Sequence, residues 1–184
     1  EFVLLNGNQT GALLTWYIIS QKKQKGGLKG NEYIINTIVT SDLLARIAEK
    51  NGVRCYSVLT GFKFFAALIR DLEGKEKYIG GGEESFGYLP GDYVRDKDGV
   101  ASCALVAEAA AWAADHGKSI WELLLDIYAE YGLFREKLVN VVRKGAEGAA
   151  EIRSMMEGYR TSPPAYITGS RVERINDYQL QVST

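Results

Sequence analysis

The residues best suited to chemistry are Glu83 and Ser85, in the run Gly80-Gly81-Gly82-Glu83-Glu84-Ser85-Phe86-Gly87. On an extended backbone, residues two apart face the same side, so Glu83 and Ser85 are expected to project together while Glu84 points away. A carboxylate accepts hydrogen bonds, and a hydroxyl both donates and accepts. Together they suit the neighbouring hydroxyls of a sugar, and the bare glycines let a ligand approach the main chain. The plain alternative is a polar, glycine-rich surface turn. Neither standard phosphate motif fits, because Ser85 stands where the dinucleotide fingerprint needs Gly and no Gly-Lys-Ser/Thr occurs. Glu83 and Glu84 are adjacent and point apart, unlike a glycosidase pair, whose carboxylates flank the bond from separate elements.

Two further stretches carry candidate groups. Thr60-Gly61-Phe62-Lys63 sits where a strand hands over to a helix, so Thr60 is expected as the N-cap, with free N–H groups beside it for an anion or hydroxyl. Its plain alternative is an ordinary cap. Arg95-Asp96-Lys97-Asp98-Gly99 precedes an alanine-rich helix. Asp98 is a natural N-cap that complements the helix dipole, whereas Lys97 gains nothing from that dipole and is either a ligand for an anion or a solvated lysine. His116, the one histidine, lies beside Gly117 at a helix C-terminus, where a helix-end role outweighs catalysis. Without a second histidine a histidine-rich metal site is excluded, and Asp96-x-Asp98 is too sparse for a calcium loop. Trp16, Trp112 and Trp121 fall in helical apolar patterns and are expected in the core.

These groups must be positioned by strands and helices that alternate along the chain. Phe2–Leu5 is a strand candidate and Asn6-Gly7-Asn8 is turn chemistry. Apolar residues at helical spacing mark a helix from Gln9 to about Lys23. Strands are expected over Tyr33–Val39, Val53–Leu59 and Lys77–Ile79, with helices over 41–51 and 62–72 between them. Helices follow over about 100–114 and 119–131. Beyond Gly132 the texture changes: Phe134–Val142 looks extended, Gly145–Tyr159 helical, and the tail from Tyr166 to Thr184 suggests strands too few for a core. The alternation argues for a layered α/β fold, with a boundary near Tyr131–Gly132.

The composition bounds the function classes. At roughly 150 residues per domain, 184 residues make one domain and an appendage. With 46% hydrophobic and 24% charged residues the chain is an ordinary globular one. Twenty-two Lys and Arg against 23 Asp and Glu leave a net charge of −1, so no strong field recruits nucleic acid or anionic lipid. No apolar run approaches the roughly 20 residues that span a membrane. Cys55 and Cys103 make neither a secreted disulfide framework nor a zinc site, which favours a reduced cytoplasmic setting. The chain starts Glu1-Phe2 without methionine, as an excised piece of a longer protein would.

In combination, five segments resemble the alpha-D-phosphohexomutase family, the phosphoglucomutases and phosphomannomutases. They are Gly7-Asn8-Gln9-Thr10-Gly11-Ala12-Leu13-Leu14, Thr37-Ile38-Val39-Thr40-Ser41, Leu59-Thr60-Gly61-Phe62-Lys63-Phe64, Gly82-Glu83-Glu84-Ser85-Phe86-Gly87 and Arg95-Asp96-Lys97-Asp98-Gly99. Each alone is weak, but five in register are specific. The resemblance implies one of four domains around a cleft: the third, a three-layer α/β/α domain with a mixed four-stranded sheet over residues 1–131. Residues 132–184 would then be a linker and the truncated α+β start of the fourth domain.

The resemblance also implies roles. Glu83 and Ser85 contact sugar hydroxyls, Thr60 and Gly61 add contacts nearby, and Lys97 approaches the reacting phosphate. The substrate is a hexose phosphate, the partners are the other domains of the same chain, and neither nucleic acid nor a membrane is involved. The cofactor is magnesium, with ligands outside this segment, and the segment itself holds no metal and no catalytic residue. The family's Ser-His phosphoserine run, Asp-x-Asp-x-Asp metal loop and Arg-x-Ser-Gly-Thr phosphate clamp are all missing between Glu1 and Thr184, so the segment alone is expected to be inactive. Two alternatives remain open on the same fold: a non-catalytic sugar-binding module and a purely structural domain.

Overall fold

Strand β1 (Glu32–Thr37) is buried along its whole length, and the first part of the chain is built around it. A computed structural model describes residues 2–180, 182 and 183. In chain order the elements of this part are α1 (Gly7–Gln24), β1, α2 (Asp42–Lys50), β2 (Arg54–Val58), α3 (Phe62–Leu72), β3 (Lys77–Gly82), β4 (Tyr88–Leu89), α4 (Gly99–Asp115) and α5 (Ile120–Tyr131). The sheet order is β2-β1-β3-β4. Strands β2 and β3 each run parallel to β1, and β4 runs antiparallel to β3. The fold is α/β with a mixed four-stranded sheet.

Successive side chains of a strand face opposite sides, and here each side meets its own helices. Ile34, Ile79 and Tyr88 pack under α1, α2 and α5 with Leu13, Leu14, Leu44, Ile47, Leu124 and Ile127. Tyr33, Ile35, Tyr78 and Leu89 face the other way, onto Phe62, Phe65 and Ile69 of α3. A strand buried on both faces needs an apolar run rather than alternation, which is why Tyr-Ile-Ile stands at the sheet's centre. Phe65 is fully buried, with its ring 4.4 Å from that of Phe62; burying one such side chain stabilises a fold by about 1.5–3 kcal/mol.

Several local expectations give way to tertiary context. Asn6 does not turn the chain but caps α1, in a reciprocal box with Gln9 at 2.9 Å each way. Residues 2–5 join no sheet among the described residues, and Phe2 and Leu4 are exposed. Strand β3 extends through the glycines to Gly82, and the two-residue β4 comes from the turn that follows. Trp121 lies on an exposed helix face rather than in the core.

Residues 137–184 form a separate compact unit. It holds α6 (Gly145–Thr161) and two short antiparallel hairpins, β5 (Tyr166–Ile167) with β6 (Ser170–Arg171), and β7 (Asn176–Asp177) with β8 (Val182–Ser183). The stretch from Phe134 to Val142 is irregular and pairs with no strand among the described residues. Only Gly148 of α6 is buried. The Arg160 guanidinium donates to Asp177 at 2.7 Å, tying the helix to the second hairpin.

Candidate functional site

Because β1, β2 and β3 are parallel, their carboxyl ends, Thr37, Val58 and Gly82, lie on one edge of the sheet. The segments that leave them, 38–41, 59–61 and 83–87, are therefore neighbours. Open α/β sheets bind ligands at this edge. All five residues singled out in the sequence, Thr60, Gly61, Glu83, Ser85 and Lys97, are on it.

The stretch after β3 is a tight turn rather than extended chain. The Glu83 amide donates to the Gly87 carbonyl at 2.7 Å, continuing the β3–β4 pairing of Gly82 with Tyr88. Inside the turn, Glu83 Oε1 accepts the Gly61 amide at 2.7 Å, while its Oε2 has no protein donor among the described residues. Ser85 is exposed and its hydroxyl makes no protein hydrogen bond among the described residues. Phe86 holds a positive φ of 67° at the tip, and the residue is 66% exposed.

Gly61, not Thr60, is the N-cap of α3. Its φ of 113° suits glycine, and a glycine cap brings no side-chain acceptor. Thr60 is left exposed, with no protein hydrogen bond to its hydroxyl among the described residues. Lys97 is fixed through its neighbour: the Asp98 amide donates to the Tyr88 carbonyl at 3.0 Å, and the Asp98 carboxylate caps α4 at the Ala101 amide, also at 3.0 Å. The Lys97 ammonium stands 5.0 Å above the Phe62 ring and 3.8 Å from Asp96 Oδ1. A methyl placed on Gly87 would lie 3.2 Å from each of Glu83 Oε2, Lys97 Cδ and Phe62 Cε2, so these three side chains converge. A free carboxylate oxygen and an exposed ammonium converge here, on the edge that also carries the exposed Thr60 and Ser85, and such groups can bind a polyol that carries an anion.

Three residues that the sequence does not single out for chemistry hold this edge together. Glu84 Oε2 lies 3.3 Å from the hydroxyls of both Thr37 and Thr40, which are 2.7 Å from each other. The first turn of α1 closes over the same region. The Ser41 amide donates to Asn8 Oδ1 at 2.9 Å. A methyl on Gly7 would lie 1.9 Å from the Glu84 carbonyl oxygen, so only glycine permits that approach. Nothing in one sequence links Thr37 to a carboxylate 47 residues away.

A cleft of about 310 Å³ opens at the opposite edge, between Asn31, Tyr33, Glu73, Lys77 and Arg95. Two of its lysines and arginines are paired with carboxylates, Lys77 with Asp92 at 2.9 Å and Arg95 with Glu73 at 3.3 Å, and the Lys75 ammonium donates to the Asp71 carbonyl at 3.1 Å. Among the described residues, no group of three or more His, Cys, Asp or Glu side chains is placed to hold a metal ion, and no helix is long and apolar enough to cross a membrane.

Comparison with known proteins identifies the architecture. Residues 6–131 match the family model described as phosphoglucomutase/phosphomannomutase, alpha/beta/alpha domain III. A phosphoglucomutase of Staphylococcus aureus strain N315 is 39% identical over 173 residues, which are 94% of this chain and 31% of that relative. The chain thus spans about a third of the curated relatives it matches. A structure described as a putative phosphomannomutase of Thermus thermophilus aligns with a TM-score of 0.56 at 26% identity, over 70% of this chain and 26% of its own. The exocytosis-sensitive phosphoprotein pp63/parafusin of Paramecium, described as a phosphoglucomutase, shares the fold with a TM-score of 0.64 at 20% identity, over 98% of this chain and 31% of its own. The chain therefore belongs to the phosphoglucomutase/phosphomannomutase family, and residues 6–131 are its α/β/α domain III.

Proposed function

We propose that this chain is the sugar-reading part of a longer mutase that interconverts hexose 1-phosphate and hexose 6-phosphate. The observation that carries the reading is the division of labour within Glu83. One oxygen is fixed by the Gly61 amide, and the other is free on the edge where Ser85 is also free. A carboxylate held this way is pre-aimed, so it loses little freedom when a hydroxyl arrives.

In this reading Glu83 Oε2 and Ser85 grip sugar hydroxyls that do not react. Thr60 adds a hydroxyl beside them, and Gly61 orients Glu83. Lys97 approaches the phosphate. The parent enzyme passes a phosphoryl group from a phosphoserine to the sugar phosphate, giving a bisphosphate whose other phosphate returns to the serine. Because the sugar must be read in both orientations, this edge contributes positioning. Magnesium stabilises the transferring phosphoryl group from ligands outside this segment. Residues 132–184 are a linker and the start of a fourth domain, the other domains of the chain are the partners, and the setting is cytoplasmic. The Glu-Glu-Ser-Phe-Gly turn resembles that of phosphoglucomutases and mixed-specificity relatives, a lean toward glucose phosphates that leaves mannose phosphates as substrates to be tested.

The test is conversion of glucose 1-phosphate to glucose 6-phosphate by the full-length parent, with magnesium and a trace of bisphosphate, beside Glu83→Ala and the 184-residue chain alone. The parent is expected to turn over, the variant to collapse, and the isolated chain to be inactive. No turnover of glucose or mannose phosphates by the parent would replace the mutase with a binding module.

A further inference from the structure

We propose that Glu84 is a positioning residue for the sugar-reading turn, acting through Thr37 and Thr40. The inference deepens the mutase reading and rests on it for its kinetic consequence, although its structural consequence stands alone.

Each threonine hydroxyl has one proton to donate. Thr37 and Thr40 Oγ1 lie 2.7 Å apart, and Thr40 Oγ1 also receives the Thr37 amide at 3.3 Å. Two arrangements satisfy every group: one threonine hydroxyl donates to the other, and the second donates onward to Glu84 Oε2, which lies 3.3 Å from both. Thr37 and Thr40 are both buried, so neither hydroxyl has ready recourse to water. Without Glu84, the two threonines hold two hydroxyl protons and can pair only one of them with each other, so one proton has no acceptor among the described residues, and a buried polar group left unpaired is costly.

This relay anchors one side of a turn whose other side is anchored by Glu83. Glu83 reaches the β2–α3 junction at Gly61, and Glu84 reaches the β1–α2 junction at Thr37 and Thr40. The two adjacent glutamates reach different junctions, so the pair clasps two neighbouring segments from a single turn. The Glu84 main chain is pinned as well, because its carbonyl lies against Gly7 where no Cβ would fit. With both anchors in place Glu83 Oε2 and Ser85 have one arrangement. With the Glu84 side-chain anchor removed, the only side-chain hydrogen bond among the described residues that still ties the turn to a neighbouring segment is that of Glu83 to Gly61.

Two measurements test this, and their failures separate. In the 184-residue chain, amide hydrogen exchange at Gly61 and Glu83 reports the turn without any need for catalysis. Glu84→Ala and Thr40→Val are each expected to speed exchange at both amides about tenfold, with central β1 amides unchanged. In the full-length parent, each is expected to raise KM for glucose 1-phosphate about tenfold with a smaller change in kcat. The double variant should be no worse than either single one, and Glu84→Gln, which keeps a carbonyl acceptor for the threonines, should stay within about threefold of the parent. Unchanged exchange at Gly61 and Glu83, or additive losses in the double variant, would overturn the positioning role. A parent without mutase activity, but with the exchange result as expected, would remove the mutase reading and leave the clasp.

Discussion

The Glu83 carboxylate accepts the Gly61 amide at 2.7 Å, which fastens the β3–β4 turn to the start of α3. The contact fixes one oxygen and leaves the second without a protein donor among the described residues. Glu83→Gln keeps a carbonyl for Gly61 but turns the second acceptor into an NH₂ donor. Hydrogen bonds that involve a charged group contribute about 1.5–3 kcal/mol, so kcat/KM of the full-length parent is expected to fall roughly 10- to 100-fold. The unfolding midpoint should stay nearly constant, because the protein-facing bond survives. Steady-state kinetics beside a thermal melt decide it; wild-type kcat/KM in the variant would take Glu83 off the substrate.

Gly7 opposes two effects whose sizes can be compared. Alanine is the better helix former by about 1 kcal/mol in a helix interior, and less at a first turn. Against this, the added methyl would sit 1.9 Å from the Glu84 carbonyl oxygen and 2.9 Å from the Phe86 amide nitrogen, both main-chain atoms. Overpacking against groups that cannot swing aside costs about 1–3 kcal/mol or more. Gly7→Ala is therefore expected to lower the unfolding midpoint of the 184-residue chain by several degrees. A higher midpoint would mean that the turn yields freely to α1.

How far the sequence foretells this architecture depends on the range of the force involved. Period and caps are local, so α2, α5 and the Asp98 cap of α4 stand where their residues predict. At α3 the pattern points to Thr60 because threonine is the better capping side chain, whereas the backbone there takes a φ of 113° that favours Gly61. Strand β4 has two residues and no pattern of its own; it exists because the Glu83–Gly87 turn folds Tyr88 and Leu89 back onto β3. The candidate site residues are legible as types, Glu83 and Ser85 above all. Their convergence with Gly61 and Lys97 is not, since it follows from the strand order β2-β1-β3-β4, which no periodicity encodes. What Glu84 points toward is not legible either, since it depends on the positions of Thr37 and Thr40 at the end of another strand.

Glu32 gives the fold a dependence on acid. Burial alone would raise its carboxyl pKa, but the Lys29 and Gly30 amides donate to it at 2.9–3.0 Å and outweigh burial, holding it below the ordinary value. A depressed folded-state pKa contributes stability that is fully present above the unfolded value, about 4.3 for glutamate, and is lost as pH falls through the folded one. Glu32→Gln should therefore melt below the wild-type chain at neutral pH, with the gap closing as pH drops under about 4. Melting curves from pH 7 to pH 2 test this, and a gap constant across that range would show that the carboxylate's charge plays no part.

Phe86 is strained where it contributes least to the core. A non-glycine residue at a φ of 67° costs about 1–2 kcal/mol, and the residue, 66% exposed, recovers little by burial. Glycine removes that strain but frees the unfolded chain, which offsets about 0.5–1 kcal/mol. The balance favours Phe86→Gly in stability by a few tenths to about 1 kcal/mol, a rise of roughly 1–4 °C in the unfolding midpoint for a chain of this size. Strained residues persist where function holds them, so the same variant in the full-length parent should raise KM for glucose 1-phosphate. A stabilised chain with an unchanged KM would leave Phe86 as strain without a use, and a destabilised chain would mean that the ring packs more tightly than its exposure implies.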